Sequence, residues 1–113
     1  MSIEGLWTAR FGHYDAPNTW ENGGVVVIES GRIFGGDSGT YYLGSVVLDG
    51  KSFDANFTVT IYDRERYITA FGNFETPIEV SAKGERKGNV IVGRMSLGEV
   101  SIAFDLTKRA DLP

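Results

Sequence analysis

Along most of this chain apolar residues recur at every second position, and that spacing is what restricts its fold most. From Lys51 to Tyr62, Phe53, Ala55, Phe57, Val59 and Ile61 alternate with Asp54, Asn56, Thr58 and Thr60. Toward the end, Val100, Ile102, Phe104 and Leu106 alternate with Ser101, Ala103, Asp105 and Thr107. Ile78, Val80 and Ala82 alternate with Glu79, Ser81 and Lys83, and Gly5, Trp7, Ala9 and Phe11 share one face against Thr8 and Arg10. A period of two is the repeat of a β-strand with one buried and one wet face, and no helix satisfies it.

Turn residues cut this pattern into eight pieces. Ser30-Gly31, Asp49-Gly50, Lys87-Gly88-Asn89 and Leu97-Gly98 each stand between two strand-like runs. The pattern predicts strands over about 3–12, 23–29, 32–37, 41–48, 52–62, 77–84, 89–96 and 99–108. Connections this tight are hairpins, so the order is up-and-down. A closed barrel is then the arrangement that leaves no exposed sheet edge. The fold expected is all-β: one eight-stranded antiparallel up-and-down β-barrel covering residues 1–113 as a single domain. Two connections are longer. Gly12 to Asn22 holds His13, Tyr14, Pro17 and Trp20, with Trp20 expected to rim or plug a barrel mouth. Asp63 to Thr76 carries the one helical turn expected, between strands 5 and 6, capped by Asp63 ahead of Tyr67, Ile68 and Phe71.

The second hairpin predicts an unusual outer surface. With Ser30-Gly31 as a two-residue turn, Glu29 faces Arg32, and both charges point outward. Val25, Val27 and Phe34 then point outward as well, and Val26, Ile28 and Ile33 inward. The next strand is apolar on both faces, with Tyr41, Leu43 and Val47 opposite Tyr42, Val46 and Leu48. An outer face built from Val25, Val27, Phe34, Tyr41, Leu43 and Val47 is the expected interface of a homodimer; the other reading is that a long loop covers it.

Composition narrows the class of function. The chain has no cysteine, which excludes disulfides and Cys-based zinc sites and points to a reducing compartment. Its longest strongly apolar run, Val25 to Ile28, is far short of the ~20 residues of a membrane helix. The start of the sequence lacks a signal-peptide pattern, so a cytoplasmic protein without membrane association is expected. A net charge of −4, from 11 basic and 15 acidic residues, argues against nucleic-acid binding. The local cluster Lys83, Arg86 and Lys87 encloses Glu85 and reads as a solvated turn. The sequon Asn56-Phe57-Thr58 falls within an expected strand.

No enzyme is legible. Gly36-Asp37-Ser38-Gly39 spells the segment around the nucleophile of chymotrypsin-like proteases, but the chain is about half the length of such a two-barrel enzyme, and Thr40-Tyr41 follow in place of Gly-Pro. It reads as a turn. His13, the single histidine, reads as a loop residue, and no spaced carboxylates join it as a metal site. No cofactor is implied.

Gly5-Leu6-Trp7 resembles the Gly-x-Trp signature of the calycin barrels, the lipocalins and avidins. That resemblance implies a tryptophan closing one barrel end under a basic residue from near the last strand, a part that falls to Lys108 or Arg109. Gly31-Arg32-Ile33-Phe34-Gly35-Gly36-Asp37, followed by Tyr42-Leu43-Gly44, resembles the GrlR-like family of negative regulators of type III secretion. The likeness is densest from about residue 23 to 50. It implies an eight-stranded calycin-like barrel with an apolar cavity, a plugging loop, a hydrophobic dimer, and restraint of a transcriptional regulator by protein contact. The family's run of alternating acidic residues falls here on Leu48-Asp49-Gly50-Lys51, where Asp49 alone is acidic, so that mode of docking does not carry over.

The function expected is a non-enzymatic binding or regulatory barrel. A small apolar ligand would be held by Trp7, Phe11, Tyr42, Phe57, Val59, Ile102 and Phe104. The alternative is a packed core that acts only through protein–protein contacts, since a barrel this small can fill itself.

Overall fold

The eight alternating segments form eight strands: β1 (Gly5–His13), β2 (Asn22–Glu29), β3 (Arg32–Gly36), β4 (Thr40–Asp49), β5 (Ser52–Ile61), β6 (Ile78–Lys87), β7 (Val90–Leu97) and β8 (Val100–Ala110). In this computed structural model, which describes residues 3–13, 22–63, 75 and 77–113, each strand pairs antiparallel with the next, and β1 closes on β8. The result is a closed up-and-down barrel, with no helix among the described residues. The helical turn expected within 63–76, and Trp20, lie outside the described residues.

Turn chemistry sets the registers. Ser30 and Gly31 both take positive φ (51° and 73°), as a type I′ turn requires, and Glu29 pairs with Arg32 as expected. Of the other three tight hairpins, two sit one residue later than the sequence pattern predicts, and the third falls within the expected Lys87-Gly88-Asn89. Their turn pairs are Gly50-Lys51, Gly88-Asn89 and Gly98-Glu99, because Asp49 pairs Ser52, Lys87 pairs Val90 and Leu97 pairs Val100. The reason is the first turn position. In each case glycine supplies the positive φ there (62°, 64° and 59°), the pattern of a type II′ turn. β6 accordingly runs to Lys87 rather than ending at residue 84. His13, expected in a loop, is the last residue of β1 and pairs with Ile102.

Most of the inward set is the expected one, and Ile91 of β7 joins it. Trp7, Ala9, Phe11, Val26, Ile28, Ile33, Tyr42, Val46, Phe53, Ala55, Val59, Val80, Ala82, Ile91, Ile102, Phe104 and Leu106 are buried in one cluster. Each large side chain contributes about 1.5–3 kcal/mol by leaving water. Space for the rings comes from glycines placed directly across the strand pairing. Gly35 faces Tyr42, Gly44 faces Phe57, Gly84 faces Phe53 and Gly93 faces Phe104. Phe53 and Phe104 meet at 6.1 Å, tilted 54°. A side chain at Gly93 would start 2.1 Å from the Lys83 carbonyl oxygen and 2.6 Å from Gly84 Cα, so β6 and β7 close up only because both residues are glycine.

Two outward residues of β8 depart from the expected wet face. Ala103 and Asp105 are buried although both alternate with the inward set. Arg10 of β1 reaches across to Asp105: its Nε donates to Oδ1 at 3.0 Å and its Nη2 to Oδ2 at 2.6 Å. The two residues are register partners, which makes this two-pronged geometry available. Arg10 itself is mostly exposed, so solvent screens the pair and its contribution to stability is small.

Candidate functional site

Up-and-down topology gives the barrel two unlike ends. At one end lie the start of β1, the end of β8 and the three hairpins at residues 30–31, 50–51 and 88–89. At the other lie the β3–β4 turn, the β7–β8 hairpin and both long connections, β1 to β2 and β5 to β6.

The first end is sealed. Trp7 is 0% exposed, and its Nε1 donates to the Ile3 carbonyl at 2.8 Å. The guanidinium of Arg86 lies 5.8 Å from the centroid of the ring, and Arg86 Nε donates to the Gly88 carbonyl at 2.8 Å. This corrects one expectation: Arg86 is buried rather than part of a solvated turn, and it supplies from β6 a cation over Trp7. The physical reason is the extra length of β6. Counting in twos from Ile78 brings Gly84 and then Arg86 to inward positions, so the pattern held the signal once the strand was taken far enough. Lys108 pairs in register with Trp7 but sends its ammonium to Asp111 at 2.8 Å. Arg109 Nε donates to Thr8 Oγ1 on the outer face, also at 2.8 Å.

Toward the second end, six of the seven predicted lining residues come together. Phe11 pairs with Phe104, and Ile102 is the next inward residue of β8. Tyr42 pairs with Val59, and its ring meets that of Phe57 edge-on at 6.1 Å. All six belong to or pack against the core cluster, with Phe57 only partly buried. Trp7 stands apart, four residues down β1 from Phe11, or roughly 13 Å at the rise of a strand.

One polar constellation borders this apolar group, and the sequence pattern did not reveal it. Gly36-Asp37-Ser38-Gly39 is the β3–β4 turn, as expected. Asp37 Oδ1 accepts from the backbone N–H groups of Gly39 (3.0 Å) and Thr40 (2.8 Å), a capping pattern that its Asp-x-x-Thr spacing favours. Asp37 Oδ2 accepts from the hydroxyl of Tyr42. Burial first, then the hydrogen bond to Asp37 and its charge, hold the Tyr42 proton well above the usual range for a phenol. Tyr62 donates to the Asp37 carbonyl at 3.0 Å, tying the end of β5 to the same turn. Among the described residues no three His, Cys, Asp or Glu side chains gather to hold a metal.

The outer surface carries the apolar face expected from the second hairpin. Leu6, Val27, Phe34 and Leu43 are successive register partners and form one row across β1 to β4. Leu43 is 55% exposed and Val47 64%, and Val25, Phe34 and Tyr41 are exposed beside them. Next to Leu43, an open groove of about 760 Å³ crosses β4, β5 and β6, bordered by Ser45, Asn56, Thr58, Glu79 and Ser81. Of the seven predicted lining residues only Phe57 touches it.

No model of a known protein family matches the chain, and no curated protein matches it. No helix among the described residues is long and apolar enough to cross a membrane.

Proposed function

We propose that this barrel is a non-enzymatic binding and regulatory module of the cytoplasm, a regulator of the GrlR-like kind, that holds a small apolar molecule and acts through protein contacts as a homodimer. One observation carries the reading: the barrel is stopped at one end by Trp7 and Arg86 and lined toward the other by Phe11, Tyr42, Val59, Ile102 and Phe104. An interior lined mainly by apolar side chains, with Asp37 and Tyr42 at its edge, is the usual chemistry of a small-molecule pocket.

Phe57→Trp tests it. The larger ring fills space toward Tyr42, so a real pocket loses ligand uptake while the fold and the dimer persist. In a solid core the same change overpacks and costs roughly 1–3 kcal/mol. Native mass spectrometry of the freshly purified protein reads the first outcome, and denaturant unfolding reads the second.

The packed-core alternative, action through protein contacts alone, draws support from the outer row Leu6, Val27, Phe34 and Leu43, in which Leu6, Phe34 and Leu43 are exposed. A second copy covering that row removes apolar side chains from water on both subunits. Leu43→Lys sets a charge in the middle of it and is expected to give a monomer of unchanged stability. A wild-type chain that is already monomeric at micromolar concentration removes the dimer from the proposal.

A further inference from the structure

We propose that Asp37 makes the interior selective for ligands with an apolar body and a cationic end, an alkyl ammonium in preference to a fatty carboxylate. This rests on the binding-barrel reading above.

Asp37 stands at the edge of the apolar interior. It belongs to the β3–β4 turn, at the same end as Phe11, Val59 and Ile102. Its carboxylate holds the hydroxyl of the inward-pointing Tyr42. Its Cβ lies against Gly24 of β2, where an added side chain would begin 3.3 Å away and 2.8 Å from the Gly36 carbonyl oxygen. Gly24 pairs with the buried Ala9, so the wall beside Asp37 is built from the smallest residues.

The carboxylate's partners are all neutral. Oδ1 takes the two backbone N–H groups of Gly39 and Thr40, which fills its two acceptor sites. Oδ2 takes the Tyr42 hydroxyl and keeps one site open. Among the described residues no cationic side chain pairs with Asp37. A half-buried carboxylate with an open acceptor site and no counter-ion favours a donor, most of all a charged one. It disfavours a second carboxylate in the same place.

The test uses the full chain and three probes of equal alkyl length: decylamine, 1-decanol and decanoate, each below its micelle concentration at neutral pH. Titration calorimetry is expected to show decylamine binding about ten- to hundredfold more tightly than 1-decanol, the range of a hydrogen bond to a charged group. Decanoate is expected to bind more weakly than the alcohol. Asp37→Asn keeps an acceptor for the turn and removes the charge, and it should abolish the advantage of the amine while leaving the alcohol's affinity in place. Asp54→Asn removes an equal charge from the exposed outer face and should leave the preference intact.

Binding of 1-decanol without preference for the amine overturns the role of Asp37 and leaves the pocket standing. Equal loss of preference in both variants assigns the effect to net charge and overturns it too. If none of the three probes binds, the binding-barrel reading fails, and this inference with it.

Discussion

Alanine at Gly93 is expected to destabilise the barrel by about 3 kcal/mol, the upper end of what overpacking costs. A methyl group there would begin 2.1 Å from the Lys83 carbonyl oxygen, 2.6 Å from Gly84 Cα and 2.8 Å from the Lys83 carbonyl carbon. These are backbone atoms of the facing strand, so no rotamer change relieves the clash, and β6 and β7 must move apart. Phe104, paired with Gly93, and Phe53, paired with Gly84, then lose the floor on which their rings lie. For a domain with a total stability of about 5–15 kcal/mol, this is a large share. Gly50→Ala is the matched control. Nothing lies within 4 Å of its added methyl group, and the cost is only the positive φ of 62°, about 1–2 kcal/mol. Urea midpoints for the two variants decide. If Gly93→Ala is the milder change, close strand approach is not what that glycine serves.

The second large effect is at the sealed end. Trp7→Ala is expected to cost about 3–5 kcal/mol, because it empties a fully buried ring site and strips the face from under Arg86. Trp7→Phe separates the parts. It retains a ring for the guanidinium but leaves the Ile3 carbonyl without the indole donor, a loss of about 1–3 kcal/mol. A double-mutant cycle with Arg86→Met then isolates the cation–ring term, expected at about 0.5–2 kcal/mol. Additive single effects would show that the ring of Trp7 contributes nothing to holding Arg86.

Where the fold was legible, it was legible for local reasons. Alternation in twos assigns each residue of a strand to one face, so the inward positions of β1, β2 and β5 and the outward row through Val27, Phe34 and Leu43 follow from counting. The Glu29–Arg32 pairing followed from one turn type. Where counting missed, a second requirement competed with it. Asp-Gly and Leu-Gly looked like turn pairs, but each glycine takes the first turn position, which moves two hairpins by one residue; Gly88 takes the same position and lets β6 run on past Arg86.

Of the candidate site, the apolar part was readable because burial leaves its mark in the alternation itself. The polar part was not. Asp37 lies in a turn, where no periodicity operates, and its contact with Tyr42 depends on how the chain reverses between β3 and β4. Which cation caps Trp7 depends on a strand seventy-nine positions away in the sequence, since β6 must cross the barrel before Arg86 meets the ring.

The sequence by itself determined eight strands, their hairpin order and the inward positions of most of them, because these are properties of neighbours along the chain and of glycine's freedom at turns. Only the tertiary structure decided that Arg86 seals the end at Trp7 and that Asp37 meets Tyr42 at the edge of the interior. The first contact joins residues far apart in sequence, and both form where barrel closure and side-chain packing bring the partners within reach.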